Sequence, residues 1–289
     1  EASKTVLPCP NTLYVRQAGD GDSTTIQGGI NSLPSTLTGY SCIIIGDSGI
    51  YDETVTVQGF TNNNSSITIM LDPSLTVHPT VRSGFVIRNA SVNVVGIDVA
   101  TATSPGAVGM SYGILASSAN IKISNVVISD PSDLITVAGV AMSSYSSLSN
   151  SSITMQSAYG LRLDGKFAVV ANSTMAINTG LYSALYIAGS DSNTVTESLI
   201  SNPGGYGAVI GAGAKYNTIS LSTMTSASGA ASALYILGSD YNTVTGSHIS
   251  NPASFGAYLN AGSDYNTISQ STMISNSAGS IALYLDSSD

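Results

Sequence analysis

The ionisable side chains with the best chance of sharing a site lie before residue 170. Arg162, Asp164 and Lys166 alternate along the predicted strand LRLDGK, so we expect their side chains to emerge on one face. Asp98 and Asp130 follow predicted strands in the segments GIDV and VISDP, and we expect them to occupy similar places in successive coils. With one upstream arginine, these residues form a candidate acid–base patch that consists of Arg88, Asp98, Asp130, Arg162, Asp164 and Lys166. The competing interpretation is a solvated strand face whose charges neutralise one another.

Other residues give no sign of catalysis. Hydrolysis of a glycosidic bond needs two carboxyl groups about 5–9.5 Å apart, and the chain has no Asp-Asp pair and no Gly-His dipeptide. His78 precedes a proline and has no Ser or Cys context for a triad. His248 shares its repeat position with Leu199, Thr223 and Thr272, which is typical of an exposed corner. The sequence therefore predicts no catalytic residue, no metal and no cofactor.

Composition and charge exclude several kinds of partner. The chain has 8 basic and 17 acidic residues and a net charge of −9. It is too poor in Lys and Arg for a surface that neutralises phosphates, so we expect no nucleic acid partner. A basic membrane-binding stripe is missing, and no apolar run approaches the roughly 20 residues of a membrane span, so we expect no membrane insertion.

The last third of the chain repeats with a 49-residue period that divides into halves of 24 and 25 residues. Asn193, Asn217, Asn242 and Asn266 open four near-copies, NTVT, NTIS, NTVT and NTIS. Self-similarity at this period indicates stacked coils rather than a closed globule. In each copy the Val or Ile must face inward and the hydroxyl residues outward. We expect the four amides to form a structural ladder, each hydrogen-bonded to its copy in the next coil.

The tyrosines predicted on the surface of the repeats suggest a face that binds a ligand. Tyr186, Tyr235, Tyr258 and Tyr284 should face outward, and their rings give flat contact area suited to a glycan. The outward Thr and Ser columns of the NTVT and NTIS strands also resemble an ice-binding solenoid, which we keep as a minor alternative.

The N-terminal region differs from the repeats. Ile26, Ile30 and Leu33 lie on one face of a predicted short helix with Ser23 as its N-cap. We divide the chain into residues 1–64, an N-terminal cap with the first strands, and residues 65–289, the coils, which are irregular to about residue 180.

Two cysteines, Cys9 and Cys42, lie in this cap region. They can form a disulfide in an exported protein, and the alternative is a pair of buried free thiols.

Residues 43–57, with the sequence IIIGDSGIYDETVTV, resemble the opening passage of pectin-lyase-like right-handed β-helix proteins. The coils after residue 180 look like those of large bacterial surface proteins. The resemblance implies an all-β, right-handed parallel β-helix with a short N-terminal capping helix. Coils of 24–25 residues fit a helix with three sides, and the spacing of the repeated positions gives roughly nine coils of 20–29 residues after residue 65. This superfamily contains lyases, hydrolases, esterases, epimerases, phage spikes and adhesins, so its function must be argued from a site.

Together these observations predict a secreted or cell-surface solenoid with a structural or adhesive role, glycan contacts and no recognisable catalytic site, which favours a protein that is not an enzyme. The alternative is a lyase or hydrolase of acidic polysaccharide whose groove lies on coils 80–170. The chain stops at ALYLDSSD, where earlier copies continue into Asn-Thr. We therefore expect either a longer parent chain or end-to-end self-association.

Overall fold

Short parallel strands stack into three long sheets in the computed structural model, which describes residues 9–101, 109–211 and 213–288. Within these ranges, the eleven strands of sheet I are Asn11–Val15, Ser41–Ile45, Ile67–Leu71, Ser91–Val95, Asn120–Ser124, Ser147–Ser149, Val169–Ala171, Thr194–Thr196, Thr218–Ser220, Thr243–Thr245 and Thr267–Ser269. The ten described strands of sheet II are Ile50–Tyr51, Thr80–Val81, Asp98–Ala100, Val127–Ser129, Ser152–Met155, Thr174–Ile177, Leu199–Asn202, Thr223–Ser226, His248–Ser250 and Thr272–Ile274. The ten described strands of sheet III are Val55–Val57, Phe85–Arg88, Met110–Ser117, Ile135–Met142, Tyr159–Leu163, Leu185–Ala188, Ala208–Gly211, Leu234–Leu237, Ala257–Asn260 and Leu283–Asp286.

The chain visits sheets I, II and III in turn, and each strand pairs with the equivalent strand one coil further on. This confirms the predicted three-sided, all-β solenoid of parallel coils. The structure contains about ten turns. The prediction counted roughly nine from residue 65 onward, and the strands Ser41–Ile45, Ile50–Tyr51 and Val55–Val57 add a turn before that point. The division of the chain at residues 64 and 65 stays a prediction.

Aliphatic side chains fill the interior because strand residues alternate between core and solvent. Val195, Ile219 and Val244 are fully buried, and Ile268 in the last coil packs against the same core while remaining partly exposed. Burying a Val or Ile side chain contributes about 1.5–3 kcal/mol relative to leaving it exposed. The repeated Val or Ile therefore explains why one coil can stack on the next.

From the strand Ser91–Val95 onward, the corner between sheets I and II turns within two residues, and the first of them has a left-handed backbone conformation. Between sheets I and II this conformation falls on Asn150, Asn172 and Glu197, each with φ of 49°. Asn tolerates positive φ better than most residues. The next residue is a serine, and Ser173, for example, accepts a hydrogen bond from Ser151 N at 3.3 Å while donating to Ala171 O at 2.8 Å. Turn geometry thus accounts for the Asn-Ser sequence at these corners.

The predicted helix is present as Ile26–Asn31, with Ile26, Gly29 and Ile30 buried. Its N-cap is Thr25 rather than the predicted Ser23, because Thr25 directly precedes the helix and its side chain accepts from Gly28 N at 3.0 Å. The carboxylate of Glu53 accepts from Ile26 N and from the following backbone N–H at 2.8 and 2.9 Å. The role of this helix as a cap for the coils stays a prediction.

Cys9 and Cys42 are joined by a disulfide, with their Cα atoms 5.8 Å apart. The bond links the start of the described chain to a strand of the first full coil. Within the described ranges, no helix is long and apolar enough to cross a membrane.

Candidate functional site

The outer surface of sheet III carries the four tyrosines predicted to contact a glycan. In the strand Leu185–Ala188, Leu185 and Ile187 are buried and Tyr186 is half-exposed on the outside. Register pairs Tyr235 with Tyr258, and Tyr258 with Tyr284, in successive coils. The predicted outward orientation of these side chains therefore matches their positions.

The tyrosine rings stack on one another along the axis of the solenoid. Ring centroids are 5.0 Å apart for Tyr206 and Tyr235, 5.2 Å for Tyr235 and Tyr258, and 5.0 Å for Tyr159 and Tyr186. A sugar ring cannot enter between rings at this spacing, so the expectation of free flat platforms is wrong for the stacked faces. The edges and hydroxyl groups of the rings remain available outside the stack.

A tyrosine hydroxyl group is already protonated at neutral pH, and burial moves the pKa further from neutrality at three positions of the stack. Burial raises the pKa of Tyr159 and of Tyr206, and a neighbouring tyrosine of the stack adds to each shift. The pKa of Tyr258 is raised first by burial and then by its hydrogen bond to Asp286 Oδ2, at 3.2 Å. At neutral pH the stack therefore presents neutral hydroxyl groups that can donate and accept hydrogen bonds.

A groove of about 760 Å³ lies where sheet III turns into sheet I, on the irregular coils. Short residues form its floor, which consists of Ser117, Ser118, Ser143, Ser144 and Gly165. Gly165 packs so closely that a Cβ there would lie 2.0 Å from Ser144 N, which keeps this part of the floor low. The polar and aromatic side chains that line the groove are Arg88, Tyr112, Asn120, Tyr145 and Asp164.

Two members of the predicted acid–base patch, Arg88 and Asp164, line this groove together. Asp164 accepts a hydrogen bond from Arg162 Nε at 2.7 Å, as their alternation along one strand suggested. Burial lowers the pKa of Arg162, but its hydrogen bond and attraction to Asp164 outweigh burial, so the pKa is raised overall. Asp164 is the single carboxylate among the described residues that line the groove.

The other three members of the patch lie elsewhere. The strand ends at Leu163, so Lys166 lies in the following corner, where its Nζ is 2.6 Å from Asp191 Oδ2. The expected equivalence of Asp98 and Asp130 is wrong, because sheet II pairs Val99 with Ile128. Consequently Asp98 starts its strand, whereas Asp130 follows the next one.

Each of these aspartates has its own structural partners. Asp130 is 2% exposed and accepts hydrogen bonds from Thr101 Oγ1 and from Leu134 N, both at 2.8 Å. Asp98 Oδ1 lies 2.9 Å from His78 Nδ1, and the Nε2 of the same ring lies 3.2 Å from Asn125 Nδ2. The sequence analysis missed this His–Asp contact because the two residues are 20 positions apart in an irregular part of the repeat.

The amide column lies inside the corner between sheets III and I. Asn193 Nδ2 donates to Asn217 Oδ1 at 3.1 Å, Asn217 Nδ2 to Asn242 Oδ1 at 3.0 Å, and Asn242 Nδ2 to Asn266 Oδ1 at 3.1 Å. The backbone N–H of each upstream asparagine donates to the same oxygen. Asn193, Asn217 and Asn242 are buried, and their amides hydrogen-bond to one another along the corner.

An exposed aromatic column at the same corner escaped the sequence analysis. Tyr216, Tyr241 and Tyr265 each adopt positive φ and are 59, 42 and 67% exposed. Their rings stack at 5.3 and 4.9 Å, and Tyr145 stacks in the same way on Phe167 at 5.1 Å. The signal that could have revealed this column is the aromatic residue that directly precedes the asparagine of the ladder in several coils. Tyr145, at one end of this column, also lines the groove.

No group of three or more His, Cys, Asp or Glu side chains in the described ranges is arranged to hold a metal ion. The predicted absence of a metal stays a prediction.

The chain belongs to the right-handed β-helix family, because the model of the right-handed β-helix region matches residues 60–224 and 183–289. This confirms the right-handed parallel β-helix that the sequence resembled. No curated protein is similar enough to this chain to count as a match.

Several solved structures are similar to this chain at low sequence identity. A periplasmic alginate epimerase is 10% identical with a TM-score of 0.53, over 94% of this chain and 71% of the epimerase. A pectin methylesterase from Aspergillus niger is 13% identical with a TM-score of 0.41, over 99% of this chain and 87% of the esterase. A tailspike of Escherichia coli bacteriophage HK620, in complex with a hexasaccharide, is 11% identical with a TM-score of 0.43, over 91% of this chain and 60% of the tailspike. The likeness to the epimerase, at a TM-score above 0.5 and 10% identity, shows the fold alone.

Proposed function

We propose that this chain is a secreted or cell-surface β-helix with a structural or adhesive role that binds a polysaccharide on sheet III. The observation that carries the proposal is the groove, which is open and large enough for several sugar units, and whose lining includes serines, an amide, two tyrosines, one arginine and one carboxylate. Sugar hydroxyl groups suit such a lining because each one can donate and accept hydrogen bonds. The outward edges of the tyrosine stack extend the polar surface along the same sheet.

Two further observations support parts of the proposal. The disulfide between Cys9 and Cys42 favours an oxidising compartment outside the cytosol. Among the structural neighbours, the alginate epimerase is periplasmic and is named for a polysaccharide, which supports glycan interaction by analogy only.

Binding is favoured over hydrolysis by the chemistry of the groove. Glycoside hydrolysis by paired carboxylates needs two such groups about 5–9.5 Å apart. Among the described lining residues the groove offers Asp164 alone, and Arg162 holds that carboxylate in an ion pair.

The alternative is a polysaccharide-active enzyme that uses the groove on coils 80–170. It is favoured by one observation, that Arg88, Tyr112 and Asp164 line the same groove and could meet one sugar unit. A lyase assay on uronic acid polymers, with and without calcium, separates the two functions. Accumulation of unsaturated product that disappears in Tyr112→Phe would establish the enzyme in place of the binding protein.

A glycan array followed by calorimetry on the strongest hit tests the binding proposal. Tyr145→Ala should weaken binding about tenfold, since an aromatic contact at a binding site commonly contributes on the order of 1–2 kcal/mol. Tyr265→Ala is the matched control, because Tyr265 occupies the same exposed corner position far from the groove and also has positive φ. Equal losses in both variants, or an array without any hit, would contradict binding in the groove.

End-to-end self-association and a longer parent chain stay predictions. Light scattering of this chain across a range of concentrations tests the first, and the mass of the native product tests the second.

A further inference from the structure

A second cleft of about 590 Å³ lies around the corner from the groove, on the outer face of sheet I. Its lining includes Thr68, Asn93 and Lys122, and Asn93 Nδ2 donates to Thr68 Oγ1 at 2.9 Å. Asn120 lines both the groove and this second cleft, so the two cavities meet at that residue.

Strand register places one basic residue on each side of this meeting point. Arg88 ends a strand of sheet III and pairs with Ser117 in the floor of the groove. Lys122 pairs with Asn93 on sheet I, two residues after Asn120 begins its strand. The corner between them turns within two residues, so a ligand that fills both cavities would meet both cations.

These two cations differ from the other basic residues that the structure describes. Each of the others has an ionic partner, as shown by the pairs Arg16–Asp20, Arg82–Asp52, Arg162–Asp164, Lys166–Asp191 and Lys215–Asp240. Across the described ranges, Arg88 and Lys122 have no such partner, and both side chains are exposed. In a chain with a net charge of −9, the two unpaired cations therefore line two adjoining cavities.

We propose that the groove and the second cleft form one binding site for a glycan that carries at least two anionic substituents, and that crosses the corner at Asn120. This inference rests on the proposed polysaccharide binding and adds the second cleft and the charge of the ligand to it. Arg88 can bind a carboxylate or sulfate through two parallel N–H groups, whereas Lys122 acts as a point charge. The amides and hydroxyl groups between them would bind the uncharged part of the sugar chain.

Calorimetry with three oligosaccharides of similar length tests the site: an oligogalacturonate for carboxylates, a heparin fragment for sulfates and a dextran fragment as the neutral probe. The wild-type chain should bind at least one acidic probe and should bind dextran more weakly. Arg88→Gln and Lys122→Gln should each weaken binding of that probe about tenfold, the usual effect of losing one charge-assisted hydrogen bond. Binding should also weaken as salt is raised.

Lys215→Gln is the control for net charge, because it also removes one positive charge but lies outside both cavities, where Lys215 pairs with Asp240. Thermal melting checks that all variants fold. Substitutions at surface positions of this kind usually change stability little. If Lys122→Gln binds as the wild type does while Arg88→Gln does not, the second cleft is not part of the site and the inference is overturned. If dextran binds as tightly as the acidic probes, the ligand need not be anionic and the inference is refuted, although glycan binding stands. If no glycan binds, the proposed function is refuted as well.

Discussion

At the scale of single residues, polar side chains inside the corners replace hydrogen bonds that the backbone cannot make there. Asn217 is the clearest case, because its Oδ1 accepts from both the N and Nδ2 of Asn193, while its Nδ2 donates to Ser190 O and to Asn242 Oδ1. Each coil therefore fixes the corner of the coil before it. The ladder is structural, and its energetic value lies in groups that would otherwise be buried without a partner.

Replacing Asn217 by Ala should lower the free energy of unfolding by about 2–4 kcal/mol, since it leaves the buried backbone N–H of Asn193 and one N–H of its amide without an acceptor. Urea denaturation monitored by circular dichroism measures the change. Asn276→Ala is the control: this asparagine is exposed in a loop, and its removal should change stability by less than about 0.5 kcal/mol. Equal effects of the two substitutions would show that the ladder adds nothing.

A charge column runs beside the amides, and it should make stability depend on pH. The hydrogen bond from Lys166 lowers the pKa of Asp191, and the hydrogen bond from Lys215 lowers the pKa of Asp240. In the unfolded chain both carboxyl groups titrate near pH 4. Because the folded-state pKa values are lower, the contribution of these pairs is present above about pH 4 and is lost as the pH falls further.

We therefore expect the double variant with Asp191→Asn and Asp240→Asn to melt below the wild type at neutral pH, with the gap closing in acid. The pairs are partly exposed, so the gap should be small and should shrink in high salt. Melting temperatures across the acid range at two salt concentrations check this. A gap of the same size at pH 3 and pH 7 would contradict the assignment.

At the scale of elements, two kinds of coil alternate on sheet III, which explains why the repeat contains two coils rather than one. In one kind an aromatic–Gly pair precedes the strand, as in Tyr206-Gly207, and its ring covers Tyr235 of the next coil. In the next coil Ser232-Ala233 takes the equivalent position. Register accordingly pairs Leu185 with Ala208, so large and small core residues face each other in successive coils.

Gly207 allows this stacking because its backbone lies against the next coil. A Cβ at this position would lie 2.5 Å from Ala233 O and 2.9 Å from Thr225 O, both backbone atoms that cannot move independently. Gly207→Ala should therefore lower the free energy of unfolding by about 1–3 kcal/mol, as overpacking of a core does. Gly229→Ala should be tolerated, because the nearest atom to its Cβ would be 3.9 Å away. Chemical denaturation compares the two, and an unchanged midpoint for Gly207→Ala would refute the close approach.

At the scale of the whole molecule, each coil contacts mainly its two neighbours, so stability should be a sum of coil and interface contributions. Removing residues 184–232 deletes one 49-residue period and joins Ser183 to Ala233, which restores the sequence of the repeat. Tyr235 then takes the place of Tyr186 above Tyr159, and the amide ladder stays continuous. We expect this deletion to fold into a shorter solenoid with a single unfolding transition.

Removing the single coil of residues 185–207 should be more harmful, although it deletes fewer residues. Its junction brings Val209 opposite Arg162, where Tyr186 normally lies, and it removes the partners of Tyr159 and Tyr235 in the stack. Thermal melting and limited proteolysis of the two deletions provide the comparison. A single-coil deletion as stable as the 49-residue deletion would show that the alternation of coils has no energetic value.

The sequence by itself determined the parallel coils, the inward Val and Ile columns and the amide positions, because these features recur at a fixed period and alternate strictly within each strand. It also indicated which tyrosines face outward. Local pattern was sufficient here, since each coil repeats the environment of the one before it.

The tertiary structure alone decided which side chains meet. Asp98 and Asp130 look equivalent in sequence, yet register separates them by three positions, because the irregular coils differ in length. Arg88 and Asp164 come from coils far apart in sequence, and only stacking brings them to one groove. The tyrosine rings were expected to offer flat contact area, but a spacing of about 5 Å between rings in successive coils closes the stacked faces against one another. Contacts between coils depend on the length of every intervening turn, and no single segment of the sequence carries that information.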